Sequence, residues 1–106
     1  MAKYMIHGSY SVEGIKGVLK EGGSSRRAAV EAATKALGGK LEAFYFSFGE
    51  HDVVGIFDGP DNVTAAAFSM AIAATGTVRT ETIVLLTPEE IDQAAKKTVG
   101  FRAAGQ

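Results

Sequence analysis

An α+β domain is what this sequence predicts, with the order βαββαβ and an added C-terminal helix. Three observations carry that reading. From Lys40, the stretch KLEAFYFSFGEHDVVGIFDG joins two runs of alternating apolar residues through a short region around Gly49-Glu50, the pattern of a β-hairpin. Directly after it, Pro60-Asp61 opens a stretch whose apolar residues recur with helical periodicity. Ahead of it, a strand-like run is separated from the hairpin by two helical patterns, the length a crossover connection needs.

The elements follow in order. Lys3 to Tyr10 is the first strand, bounded by Ser11, whose hydroxyl can accept from a free amide of a first helical turn. Ile15, Val18 and Leu19 then recur at helical spacing. Gly22-Gly23-Ser24-Ser25 interrupts the pattern. Ser24 or Ser25 is expected to cap a second piece, AAVEAATKAL, with Ala29, Val30, Ala33 and Leu37 on one side and Gly38-Gly39 ending it. The hairpin strands fall at Lys40 to Phe48 and Asp52 to Asp58. Asp61 to Thr75 is an alanine-rich helix that can pack closely on the sheet, ended by Gly76. Val78 to Leu86 is dense in Thr, Ile and Val and reads as the fourth strand. Thr87-Pro88-Glu89-Glu90 starts a last helix, with Thr87 as cap, Pro88 in the first turn and Glu90 closing a capping box. That helix is expected to reach about Thr98, giving one domain over residues 1–99 and a tail over 100–106.

Right-handed crossovers on either side of the hairpin place these strands in a four-stranded antiparallel sheet with helices on one face, the ferredoxin-like fold. A solvated open face would alternate apolar with polar residues along each strand. Here Phe44, Phe46 and Phe48 are assigned to one face of the first hairpin strand and Leu41, Ala43 and Tyr45 to the other; in the second, Val53 and Phe57 oppose Val54 and Ile56. Both faces are apolar, so the open face is expected to be buried against a second copy of the chain.

Composition agrees with a partner and narrows its kind. A 46% hydrophobic content is high for a monomer of 106 residues, because small domains expose much of their surface. Eleven basic and twelve acidic residues without a long single-sign run argue against a nucleic-acid or polybasic membrane surface. The absence of cysteine excludes disulfides, thiolate metal sites and cysteine nucleophiles. The N-terminus lacks the apolar run of a signal peptide and no stretch has the length of a membrane span, so a cytoplasmic location is expected.

Several segments together resemble one family. They are Tyr10-Ser11, Gly14-Ile15-Lys16, Leu37-Gly38-Gly39-Lys40-Leu41, Phe44-Tyr45, Phe48-Gly49-Glu50-His51-Asp52-Val53-Val54, Ile56-Phe57, Pro60-Asp61, Val78-Arg79-Thr80-Glu81-Thr82 and Thr87-Pro88-Glu89-Glu90. Spread over Met1 to Glu90, they resemble the GYD-domain family of the dimeric α/β-barrel group. The chain departs from the family pattern at His51, where a tyrosine is usual before the aspartate, and at His7-Gly8, where bulkier apolar residues are usual. The resemblance implies the ferredoxin-like fold and a homodimer and leaves the reaction open, since the wider group includes cofactor-independent monooxygenases, isomerases, haem-handling proteins and effector-binding domains.

Candidate chemistry is sparse. His7 shares the strand parity of Met5 and Ser9; it is either a partly buried imidazole hydrogen-bonded across the sheet or a general base beside space left by Gly8. Tyr45, Ser47 and Asp52 fall on one face and form either an interface network, with Asp52 satisfying turn amides, or a carboxylate-phenol pair able to move a proton. Glu50, His51 and Asp52 offer ligand atoms, but successive strand residues point to opposite faces, so no metal site is expected unless His7 or a partner adds to them. Arg79 and Glu81 share a face and are expected to pair with each other or across the sheet; Arg79 facing a cavity would instead anchor a carboxylate. Arg26-Arg27, after the Gly-Gly-Ser-Ser segment, could hold an anion together with the loop amides, but it lacks the Gly-Lys-Ser/Thr ending of a phosphate loop and reads better as a solvated, flexible loop. No cofactor is implied. A ligand site, if formed, is expected between sheet and helices or at the sheet's end, drawing on His7, Tyr45, Asp52 and Arg79. Two functions fit: a homodimeric small-molecule-binding or structural module, and a cofactor-independent oxygenase or isomerase.

Overall fold

The computed structural model describes all residues from 1 to 106. Its elements are β1 (Ala2–Tyr10), α1 (Val12–Glu21), α2 (Gly23–Ala36), β2 (Lys40–Phe46), β3 (Val53–Gly59), α3 (Asn62–Ala74), β4 (Val78–Leu85) and α4 (Pro88–Ala95). The strands form one sheet in the order β2-β3-β1-β4 with every neighbouring pair antiparallel, which is the ferredoxin-like arrangement the sequence predicts.

The capping residues act at three of the four helices. Ser11 Oγ accepts from the Gly14 amide at 3.1 Å, Asp61 Oδ1 from the Thr64 amide at 2.8 Å, and Thr87 with Glu90 forms the full capping box. The expected cap of α2 is corrected. The helix begins at Gly23, so Ser24 and Ser25 lie inside its first turn, and Gly22 serves as both the end of α1 and the start of α2. Its φ of +85° lets the chain turn there while its amide still donates to the Val18 carbonyl at 2.8 Å. The last helix stops at Ala95, short of Thr98.

The first hairpin strand is corrected too. A register shift between Leu41 and Ala43 leaves Glu42 as an extra residue, which returns Leu41, opposite Phe57, to the same face as Phe44 and Phe46. Only Ala43, opposite Ile56, and Tyr45, opposite Val54, remain on the open face. Phe48 lies beyond the strand, exposed and at φ +53°, stacked on Phe46 with ring centroids 6.1 Å apart. Bulged Glu42 meets Lys3, which also approaches Asp58 at 3.3 Å and so ties β1 to both hairpin strands at one edge of the open face.

All three sheet-packed helices cover the other face. Tyr4, Phe57, Ala65 and Phe68 are its buried centre, with Ala2, Ile6, Val30, Leu41 and Ile72 around them. Phe57 stacks on Tyr4 and meets Phe68 edge-on, each with centroids 5.4 Å apart. The Tyr4 hydroxyl donates to Asn62 Oδ1 at 2.6 Å, so this aromatic also fixes the start of α3.

Candidate functional site

The core does not fill the whole space between sheet and helices. Beside it lies a cavity of about 320 Å³ bounded by β1, β3, β4, α1, α2 and α3, with Phe44 of β2 closing one side. Ile6, Val18, Val30, Val53, Phe68, Ile72 and Val78 make its lining mainly apolar, and Tyr10, Glu13, Glu21, Arg26, Thr77 and Thr80 contribute the polar groups. Glu13 and Glu21 are exposed and mark the solvent side.

Two glycines account for the space. A Cβ on Gly17 would meet nothing within 4 Å, and one on Gly55 would meet Ile6 Cγ2 at 3.5 Å, Phe44 Cδ1 at 3.6 Å and the Ala43 carbonyl oxygen at 3.7 Å, all ordinary contacts. Two others have a different role. A Cβ on Gly14 would lie 2.0 Å from the Thr77 carbonyl oxygen, so α1 rests directly on the backbone entering β4. Gly8 also lies on the cavity wall, but a Cβ there would sit 2.8 Å from both Val53 Cγ1 and Val78 Cγ2, so the valine methyl groups take up the room nearest it.

At the mouth, burial pushes the Tyr10 phenol above its ordinary value of 10.0; the Arg26 guanidinium opposes this, and the negative charges of Asp52 and Glu21 add to it. Tyr10 is therefore a neutral hydrogen-bonding group at physiological pH. Arg26 Nη1 donates to Glu21 Oε2 at 3.4 Å, so its charge is already partnered.

The four residues singled out from sequence do not converge on this cavity. The backbone of His7 borders it, but pairing with Val54 and Glu81 puts the ring on the open face, 4.5 Å from the ring of His51. Tyr45 is exposed on that same face. Asp52 takes the backbone-satisfying role: its Oδ2 accepts from the Tyr10 amide at 2.9 Å, its amide donates to the Gly8 carbonyl at 2.7 Å, and its carbonyl accepts from the Ser47 amide at 2.9 Å. Ser47 donates its hydroxyl to the His51 carbonyl at 2.7 Å and does not join Tyr45. Arg79, opposite Ser9 on the open face, is exposed. Its expected pairing with Glu81 is corrected, for neither residue makes an ion pair.

Sequence reasoning missed Tyr10, Gly17, Arg26 and Gly55 as cavity residues. For Gly17 alone a signal was present. Gly14 and Gly17 sit inside a helix, where glycine costs roughly 1 kcal/mol relative to alanine and so asks for a reason.

The GYD-domain profile matches residues 4–95, and the chain belongs to the GYD-domain family. No curated protein and no solved structure matches it.

Proposed function

We propose that the protein is a small-molecule-binding homodimer whose ligand occupies the cavity between the sheet and α1, α2 and α3. The cavity itself carries this reading. At about 320 Å³ it falls at the small end of ligand pockets, and its apolar wall with a few directional groups is the composition such pockets have. It suits a compact, mainly apolar molecule with one polar end that hydrogen-bonds to Tyr10, Thr77 or Thr80. The imidazole expected to act as the acid-base group of an oxygenase or isomerase lies on the opposite face of the sheet, away from this cavity. The test is fluorescence titration with anilinonaphthalene sulfonate. Saturable enhancement that drops at least tenfold in Gly17→Leu, but not in Tyr45→Ala, is expected; equal enhancement in both variants would place binding elsewhere.

The area left exposed supports the dimer. The chain exposes 7442 Å², whereas a compact monomer of this mass exposes roughly 5,700 Å². Its radius of gyration is 16.8 Å, against about 13 Å for a compact domain of this length. Part of the excess is α4 and the tail, which bury no residue and expose Ile91, Val99 and Phe101. The open sheet face adds to it, where Met5, Ala43, Tyr45, Val54, Ile56 and Ile83 stand together. A second copy packed on this face, burying roughly 1,200–3,000 Å² in total, is a stable interface by size. Sedimentation at low micromolar concentration should give a dimer, and a well-folded monomer would contradict the assignment.

A further inference from the structure

We infer that His7, His51 and Glu81 form a binding site for a divalent first-row transition-metal cation at one end of the open sheet face. The site is separate from the cavity and does not rest on the reading given for it.

Three distant stretches of chain meet here. His7 of β1 stands directly opposite Glu81 of β4 in the antiparallel register, which puts both side chains on the same face. The turn between β2 and β3 then carries His51 over His7, with ring centroids 4.5 Å apart. That turn is held by its own bonds: the Ser47 hydroxyl and the Gly49 amide donate to the His51 carbonyl at 2.7 and 3.0 Å, and the Ser9 hydroxyl donates to the Glu50 carbonyl at 3.2 Å. One ligand atom from each of the three side chains lies within 4.8 Å of the others.

The groups are otherwise uncommitted. His7 Nδ1 is the only buried side-chain nitrogen or oxygen without a hydrogen-bond partner, and Glu81 makes no ion pair although Arg79 sits two positions along the same face. An imidazole nitrogen that is buried and unpartnered is costly unless something accepts its proton or takes its lone pair. Two imidazoles and a carboxylate, without thiolate, are a donor set for zinc, cobalt, nickel or iron in the divalent state. Metal-ligand bonds of about 2.0–2.2 Å at tetrahedral angles put two ligands of one ion roughly 3.3–3.6 Å apart, so side-chain movement of at most about 1.5 Å closes the site. Three protein ligands leave coordination positions for water or an anion.

The experiment uses untagged full-length protein titrated with zinc and with cobalt, by calorimetry and by cobalt visible absorption. One ion per chain at micromolar affinity or tighter is expected, with binding weakened at least tenfold in His7→Ala, His51→Ala and Glu81→Gln. Because Glu81 makes no ion pair and glutamine keeps its size, Glu81→Gln should keep the metal-free melting temperature and lose only the rise that zinc produces in the wild type. No saturable binding by the wild type, or unchanged affinity in His51→Ala and Glu81→Gln, would overturn the assignment.

Discussion

Replacing Gly14 by alanine should destabilise the protein, whereas the same change at Gly17, one turn further along α1, should not. In Gly14→Ala the new methyl would lie 2.0 Å from the Thr77 carbonyl oxygen and 2.9 Å from Tyr10 Cδ1. Restoring ordinary contact requires α1 to move more than about 1 Å, since non-bonded atoms settle at roughly 3.5 Å. That shift strains or breaks the bond from the Ser11 amide to the same Thr77 carbonyl, now 2.9 Å. Overpacking of this kind costs about 1–3 kcal/mol and the hydrogen bond about 0.5–1.5 kcal/mol, against a helix-propensity gain of up to about 1 kcal/mol. The net loss is about 0.5–3.5 kcal/mol, or a fall in Tm of roughly 2–28 °C for a domain this small. Gly17→Ala meets nothing within 4 Å, so it keeps only the propensity gain and should raise Tm by a few degrees. Thermal unfolding followed by circular dichroism, at one protein concentration because the stability of the proposed dimer would depend on it, measures both. A Gly14→Ala variant as stable as Gly17→Ala would refute the idea that α1 is seated by backbone contact at β4.

Other consequences concern pH and assembly. Since burial raises the Tyr10 pKa, the folded state holds that proton more tightly than the unfolded chain, and stability should fall as pH rises from 10.0 to the higher folded value; Tyr10→Phe should flatten that limb, and a difference absorbance titration centred at or below 10.0 would contradict it. Asp61 has the opposite sign. The Thr64 amide and hydroxyl lower its pKa from 3.8, so its contribution is present above 3.8 and lost as pH falls through the lower folded value. Asp61→Asn should keep the cap and remove that part of the acid loss, seen as a shallower decline of Tm on acidification; an unchanged slope would count against it. On the open face, Ile56→Asp should weaken self-association by about 3 kcal/mol or more, since an unpaired charge would enter the proposed interface; sedimentation unchanged from wild type would remove Ile56 from that interface.

What was legible in the chain is what local chemistry decides. Ser11, Asp61 and Thr87 announce their helices because a cap needs only the next turn, and the change of period at Pro60-Asp61 separates hairpin from helix. The bulge at Glu42 was not legible. It is set by how β2 pairs with β3, and it moved Leu41 to the other face. The meeting of His7 with Glu81 likewise depends on the register of β1 against β4, strands far apart in sequence. The cavity was hidden for a different reason: it is made largely by side chains that are missing, at Gly17 and Gly55, on elements whose distance only the tertiary fold determines.

The central claim, that the space between sheet and helices receives a small molecule, is tested most directly by backbone-amide NMR of the isotopically labelled full chain titrated with phenol as a compact apolar probe. Saturable shift changes concentrated at Gly17, Gly55, Phe68 and Thr80, and lost in Gly17→Leu, are the predicted result. Shifts confined to Tyr45, Val54 and Ile83 on the open face, or none that saturate, would contradict it.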